Sequence, residues 1–113
     1  MKPHLYLQIA SKLRTKILRG DYAPEQQIPS IRKLAENEKC NPATVQKAMK
    51  VLEEQNLVTS CGTLGYFVIA SKQEIKELRY QESNKLVKIL FEKLGELGFS
   101  EDEIVNLFFR KDA

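Results

Sequence analysis

The sequence predicts a mainly α-helical fold: three helices and a β-hairpin in residues 1–70, then a two-helix tail in residues 71–113. Three observations predict it. Apolar residues recur at helical spacing in three successive stretches, opening at Leu5, Ile31 and Pro42. Two β-type runs, Leu57 to Cys61 and Tyr66 to Ile69, flank the glycine-bounded connection Gly62-Thr63-Leu64-Gly65. From Ser71 the helical spacing resumes, and Gly98 breaks it.

The first helix is expected from Leu5 to Arg19. Ile9, Leu13 and Ile17 form its apolar stripe, with Tyr6 and Ala10 beside them and Lys12, Arg14, Lys16 and Arg19 on the outer face. Gly20 suits its C-terminal stop, and Lys16 and Arg19 suit the negative end of the helix dipole. Residues 21–29 hold Pro24 and Pro29 and read as a loop. Ser30 then caps a short second helix, about Ile31 to Asn37, with Leu34 and Ala35 inward. Lys39-Cys40-Asn41 is a turn. Asn41 caps the third helix and Pro42 takes its first position, where a missing N–H costs nothing. That helix runs to about Gln55 and buries Val45, Ala48, Met49 and Leu52. Its other face carries Ala43, Thr44, Gln46, Lys47 and Lys50, with no acid before Glu53.

In the tail, Ile75, Leu78, Leu86, Ile89, Leu90 and Leu94 predict one long helix ending near Glu96. Ser100 and Glu103 form a capping box that opens a last helix carrying Ile104, Val105, Leu107, Phe108 and Phe109.

Composition limits the function classes. At 113 residues, 42% hydrophobic and 29% charged, the chain can fold as a compact domain and is not globally disordered. No apolar run reaches the ~20 residues of a membrane helix, and no signal-type core follows Met1-Lys2-Pro3-His4. Two cysteines, Cys40 and Cys61, make neither a disulfide framework nor a four-ligand zinc site. A cytoplasmic protein with reduced thiols, and no membrane partner, is the expectation. Residues 1–71 carry 10 Lys/Arg against 6 Asp/Glu, whereas residues 72–113 carry 8 against 9. An anionic partner therefore fits the first part of the chain and not the tail. No phosphate-cradling glycine loop, metal-ligand spacing or nucleophile–base set is present, so the sequence implies no cofactor, no metal and no enzyme.

Three helices followed by a β-hairpin wing make a winged helix-turn-helix. In that arrangement a short second helix and a tight turn set the third helix across the first two, so that its outer face fits a DNA major groove ~12 Å wide. Gln46 can bond adenine, Lys47 and Lys50 can reach guanine or phosphate, and Thr44 can touch a thymine methyl. A glycine-bounded wing lets backbone approach the sugar-phosphate closely.

Four stretches carry a family resemblance: LYLQIASKLRTKILRGDYAP, IPSIRKLAE, NPATVQKAMKVLEEQNLV and GYFV, within about residues 4–69. Together they resemble the DNA-binding domain of GntR-type bacterial transcription regulators. The short tail and the Asn41-Pro42-Ala43-Thr44-Val45-Gln46 start of the third helix are similar to the YtrA subfamily, which lacks a large effector domain. The resemblance implies double-stranded DNA as partner, with roles for Arg32, Asn41, Pro42, Ala43, Thr44, Gln46 and Gly62; Ser30, Lys47, Lys50 and Thr63 complete the candidate contacts on the reading of the residues themselves. It also implies control of a transporter operon. Three places depart from the common pattern: Pro24-Glu25 stands for Pro-Gly, Pro42 and Gln46 stand where many relatives carry arginine, and the wing lacks a cation.

The tail suggests self-association. A long amphipathic helix cannot bury its stripe on so small a domain, so Leu78, Leu86, Ile89, Leu90, Leu94, Phe108 and Phe109 are expected at a homodimer interface. The competing reading folds the tail back on its own winged helix. The function reading is a homodimeric repressor on a palindromic operator. Two alternatives stay open: a winged helix that docks a protein, and a regulator with an effector site between subunits.

Overall fold

The computed structural model describes residues 4–110. Met1-Lys2-Pro3, the start of the stretch read for a signal, lie outside the described residues. The elements are α1 (Leu5–Arg19), α2 (Ile31–Glu38), α3 (Pro42–Glu54), β1 (Val58–Ser60), a 3₁₀ turn (Gly62–Leu64), β2 (Tyr66–Val68), α4 (Lys72–Glu96) and α5 (Glu101–Leu107). This is the winged helix-turn-helix with a helical tail that the sequence predicts. The chain divides into two compact units, Met1–Lys76 and Glu77–Ala113.

In the first unit, α1 and α2 both pack on α3, which also meets β1. The core is built from Ile9, Leu13 and Ile17 of α1, Leu34 of α2, and Val45, Ala48, Met49 and Leu52 of α3. These are the positions that the helical spacing assigns inward. Helix α1 ends where Gly20 turns left-handed at φ 94°, and the Gly20 and Asp21 N–H groups close on the Ile17 and Lys16 carbonyls. The first turn of α4 belongs to this unit and buries Ile75.

The wing departs from the sequence expectation in two ways. Its strands are three residues each, paired antiparallel with Val58 opposite Val68 and Ser60 opposite Tyr66. The connection is a 3₁₀ turn, with Leu64 N–H on the Cys61 carbonyl. In addition, the segment read only as a loop pairs with β2. Glu25 N–H donates to Val68 O, Val68 N–H to Gln26 O, and Ile28 N–H to Tyr66 O, around a bridge between Gln27 and Phe67. Pro24 and Pro29 bracket this short edge, where prolines are tolerated because they leave the pairing groups between them intact. Ile28 is buried as a result.

In the second unit, α4 closes at Glu96 with Gly98 N–H on the Gly95 carbonyl and Phe99 N–H on the Leu94 carbonyl. Both hydrogen bonds of the Ser100–Glu103 capping box are present at α5. An equivalent pair joins Ser71 and Glu74 at the start of α4, which the sequence reading overlooked although Ser71-Lys72-Gln73-Glu74 carries the same spacing. Helix α5 ends at Leu107, so Phe108 and Phe109 follow the helix instead of lying on it. Their N–H groups bond three residues back, to Val105 and Asn106, which tightens the last turn and ends the α-helical ladder.

Candidate nucleic-acid interface

The two caps that set the helix-turn-helix are made by two of the candidate contact residues. Ser30 Oγ accepts from Lys33 N–H at 3.1 Å, and Asn41 Oδ1 accepts from Ala43 N–H at 2.9 Å. Capping uses only an acceptor in each case. It leaves the Ser30 O–H and the Asn41 amide N–H groups as donors, and both residues are exposed. Between the helices, Lys39 takes a left-handed backbone at φ 53° and Cys40 N–H returns to the Ala35 carbonyl. This is the tight turn that fixes α3 relative to α2.

On α3, Ala43, Gln46, Lys47 and Lys50 are exposed and Thr44 is half-buried. Val45, Ala48, Met49 and Leu52 are buried on the opposite side. The helix therefore shows solvent a face that is small, amide-bearing and cationic. Arg32 and Lys33 lie exposed in the first turn of α2. Gly62 and Thr63 are exposed in the 3₁₀ turn at the wing tip. All ten candidate positions fall in the first unit, on α2, α3 and the wing.

The cations divide into two groups. Three of the four on α1 are engaged within the chain. Lys12 pairs with Glu38 of α2 at 3.1 Å, Arg14 donates to the Gln55 side chain at 2.8 Å, and Arg19 bonds Asp21. The Arg19 hydrogen bond holds the Asp21 carboxyl below its ordinary value, and the same bond, with the Asp21 charge, raises Arg19. By contrast, the side chains of Arg32, Lys33 and Lys50 make no hydrogen bond or ion pair with the described residues. Their charge is offered outward. The basic outer face that the sequence assigned to α1 is thus partly structural.

The wing has its own support. Gln27 donates its side-chain amide to the Leu64 carbonyl, which ties the tip of the wing to the segment that pairs with β2. Gly65, at φ 98° and ψ −153°, occupies a conformation open essentially to glycine alone. A Cβ there would meet only Gln27 Nε2 at 3.4 Å, an ordinary contact, so the backbone conformation is what calls for glycine. Burial, and secondarily the Glu53 charge, push the Tyr66 phenol up, so it stays neutral.

Sequence reasoning assigned Tyr6 to packing and Lys47 to an open face. In the structure the two meet, with Lys47 Nζ 4.8 Å from the Tyr6 ring centroid. The signal lay in two helices far apart in sequence, so no local pattern could show it.

Among the described residues, no group of His, Cys, Asp and Glu could hold a metal ion. No described helix is long and apolar enough to cross a membrane.

Comparison with known proteins agrees with this geometry. The family model for bacterial regulatory proteins of the gntR family matches residues 5–68. The chain is 26% identical over 101 residues to YhcF, an uncharacterized HTH-type transcriptional regulator of Bacillus subtilis, spanning 89% of this chain and 84% of that one. It is 33% identical over 64 residues to the HTH-type transcriptional repressor YtrA of Bacillus subtilis, a match that spans 57% of this chain and 49% of YtrA. A solved GntR family transcriptional regulator from Listeria monocytogenes superposes with a TM-score of 0.86 at 27% identity, over 95% of this chain and 93% of that one. AraR(DBD), solved in complex with operator ORR3, superposes with a TM-score of 0.59 at 28% identity, over 60% of this chain and 82% of that one. With the matched region running from the start of α1 to the end of β2, the chain belongs to the gntR family of bacterial regulatory proteins and is a DNA-binding transcriptional regulator of that family, not an enzyme.

Proposed function

We propose that the chain is a homodimeric repressor that binds a palindromic operator, in the short-tailed YtrA-like branch of its family. The observation that carries this is the exposed face of α3 from Ala43 to Lys50, which holds no acid, beside Arg32 and Lys33, whose side chains have no partner among the described residues. In this reading Lys50, Arg32 and the capping donors of Ser30 and Asn41 contact phosphate, Gln46 and Thr44 read base edges, and Ala43 lets the helix approach. Gly62 and Thr63 meet the sugar-phosphate through backbone and hydroxyl, without a charged wing tip. AraR(DBD) bound to an operator supports the use of this fold on duplex DNA.

The dimer reading rests on the second unit. Leu86, Val87, Ile89 and Leu90 of α4 are exposed, as are Phe108 and Phe109. So large an apolar surface on a small unit marks an interaction site, and a second copy of the chain fits it. Two copies on a two-fold axis place their α3 helices about one DNA turn, ~34 Å, apart. Leu78 and Leu94, half-buried on the same helix, flank that surface. The YtrA resemblance extends the proposal to a transporter operon as target.

The α3 assignment is tested with two substitutions. Gln46→Ala is expected to lower discrimination between the best duplex and its single-base variants by about 1–3 kcal/mol at one position. Lys50→Ala is expected to weaken binding to all duplexes alike and to reduce the salt slope by about one. If both variants bound like the wild-type chain, α3 would not be the DNA-facing helix.

A further inference from the structure

We propose that Tyr6 is a positioning residue for DNA recognition, which acts by holding Lys47 of α3 in place. This rests on the reading of α3 as the DNA-facing helix. Lys47 Nζ lies 4.8 Å from the Tyr6 ring centroid, inside the ~6 Å reach of a cation–π attraction. The pair sits in an open concavity of about 430 Å³, where the first turns of α1 and α3 meet and which His4, Leu5, Ala43 and Thr44 also line; the His4 ring stacks on Tyr6 with centroids 5.9 Å apart. Lys47 follows Thr44 by three residues and Ala43 by four, so its stem shares their side of α3. The ring supplies the seat and the small Ala43 leaves room for it.

The other exposed cations of this surface differ. Arg32, Lys33 and Lys50 have no side-chain partner among the described residues, so each is free to sample its rotamers. A lysine that meets DNA from a free state loses most of that freedom on binding, whereas one already seated loses less. Seating on a ring also keeps the full positive charge. An ion pair with a carboxylate, such as Lys12–Glu38, would cancel it. The ammonium has three N–H donors, and those turned away from the ring stay available to a phosphate or a guanine edge. The Tyr6 hydroxyl makes no hydrogen bond with the described residues, so the ring alone carries the effect.

The test is equilibrium binding over a salt series to two probes: a duplex selected by the wild-type chain from a random pool, and a random-sequence duplex of equal length. Tyr6→Leu is expected to weaken binding to the selected duplex about two- to fivefold while keeping the wild-type salt slope, because the charge of Lys47 remains. Tyr6→Phe, which keeps the ring, is expected to bind within about twofold of wild type. Lys47→Met is expected to lower the salt slope by about one. The Tyr6→Leu, Lys47→Met double variant is expected to bind no more weakly than Lys47→Met alone, since Tyr6 then has nothing to hold. Additive losses in the double variant would overturn the proposal. So would a Tyr6→Phe variant as weak as Tyr6→Leu, which would put the hydroxyl itself on DNA. A reduced slope for Lys47→Met with additive losses fails only the positioning role. An unchanged slope and affinity for Lys47→Met removes Lys47 from the DNA-facing surface, and the proposal with it. Should Tyr6→Leu not fold, Tyr6→Met, flexible and without a ring, carries the same expectations.

Discussion

Between Leu5 and Ile75 the helices turn Ile9, Leu13, Ile17, Val45, Met49 and Leu52 into one shared core, whereas among the described residues of the second unit only Ile104 is buried. Helix α4 there exposes Leu86, Val87, Ile89 and Leu90. Helical spacing predicts both α1 and α4, but the apolar residues of α4 are much less confined to one side, and the outcomes differ. Periodicity decides that a helix forms and which residues share a face. Whether that face is buried depends on the surface available to oppose it. In the first unit α1 and α2 oppose α3 within the chain. In the second, the proposed opposing surface is another copy of the chain.

The largest effects should separate the two units. Leu52, fully buried in α3, should cost about 2–5 kcal/mol of stability on replacement by alanine, read by urea unfolding. Leu90→Ala, at a position 39% exposed, should cost under about 1 kcal/mol when the chain is dilute enough to be monomeric. A comparable loss at both positions would mean that α4 is buried within one chain. Next in size, Ile89→Glu should weaken self-association about a hundredfold or more, because an unpaired carboxylate would enter the proposed apolar interface. Sedimentation should then show monomers, and circular dichroism should show helices retained.

A smaller effect is expected in the loop before α2. Glu25 holds a left-handed backbone at φ 69°, the region that favours glycine. An L-residue in that region costs roughly 1–2 kcal/mol, and the extra unfolded-state freedom of glycine offsets part of the gain. Glu25→Gly should therefore stabilise the first unit by about 0.5 kcal/mol in the same urea experiment. The smallest effect belongs to α5. The backbone N–H of Ser100, and then its hydroxyl, hold the Glu103 carboxyl below its ordinary value of 4.5. A carboxyl lowered by folding adds stability above its ordinary value, and that stability is lost as pH falls through the lowered one. Protection of the amides in the first turn of α5, taken relative to the intrinsic exchange rate at each pH, should thus fall in acid below 4.5, and Glu103→Gln should remove most of that pH dependence.

Much of the first unit was legible because its signals are local. The spacing of Ile9, Leu13 and Ile17, the cap residues Ser30 and Asn41, and Gly20 place α1 and the starts of α2 and α3 at the observed positions. The acid-free stretch of α3 from Ala43 to Lys50 could be read in the same way. Three features were not legible. The pairing of Glu25, Gln26 and Ile28 with β2 joins segments about forty residues apart, and flanking prolines mark only a loop. The Tyr6–Lys47 contact needs α1 and α3 to be packed before it exists. The run from Ile104 to Phe109 reads as one helix, but α5 ends at Leu107 as its last turn tightens. Where the chain must meet itself at long range, spacing alone carries no signal.

The central claim, a dimer that binds DNA through the cationic face of α3, is tested most directly by titrating a selected duplex with the purified chain at two salt concentrations while measuring the mass of the complex. Two chains per duplex are expected, with an affinity that falls steeply with salt, as release of counterions from several neutralised phosphates requires. One chain per duplex, or an affinity indifferent to salt, would contradict it.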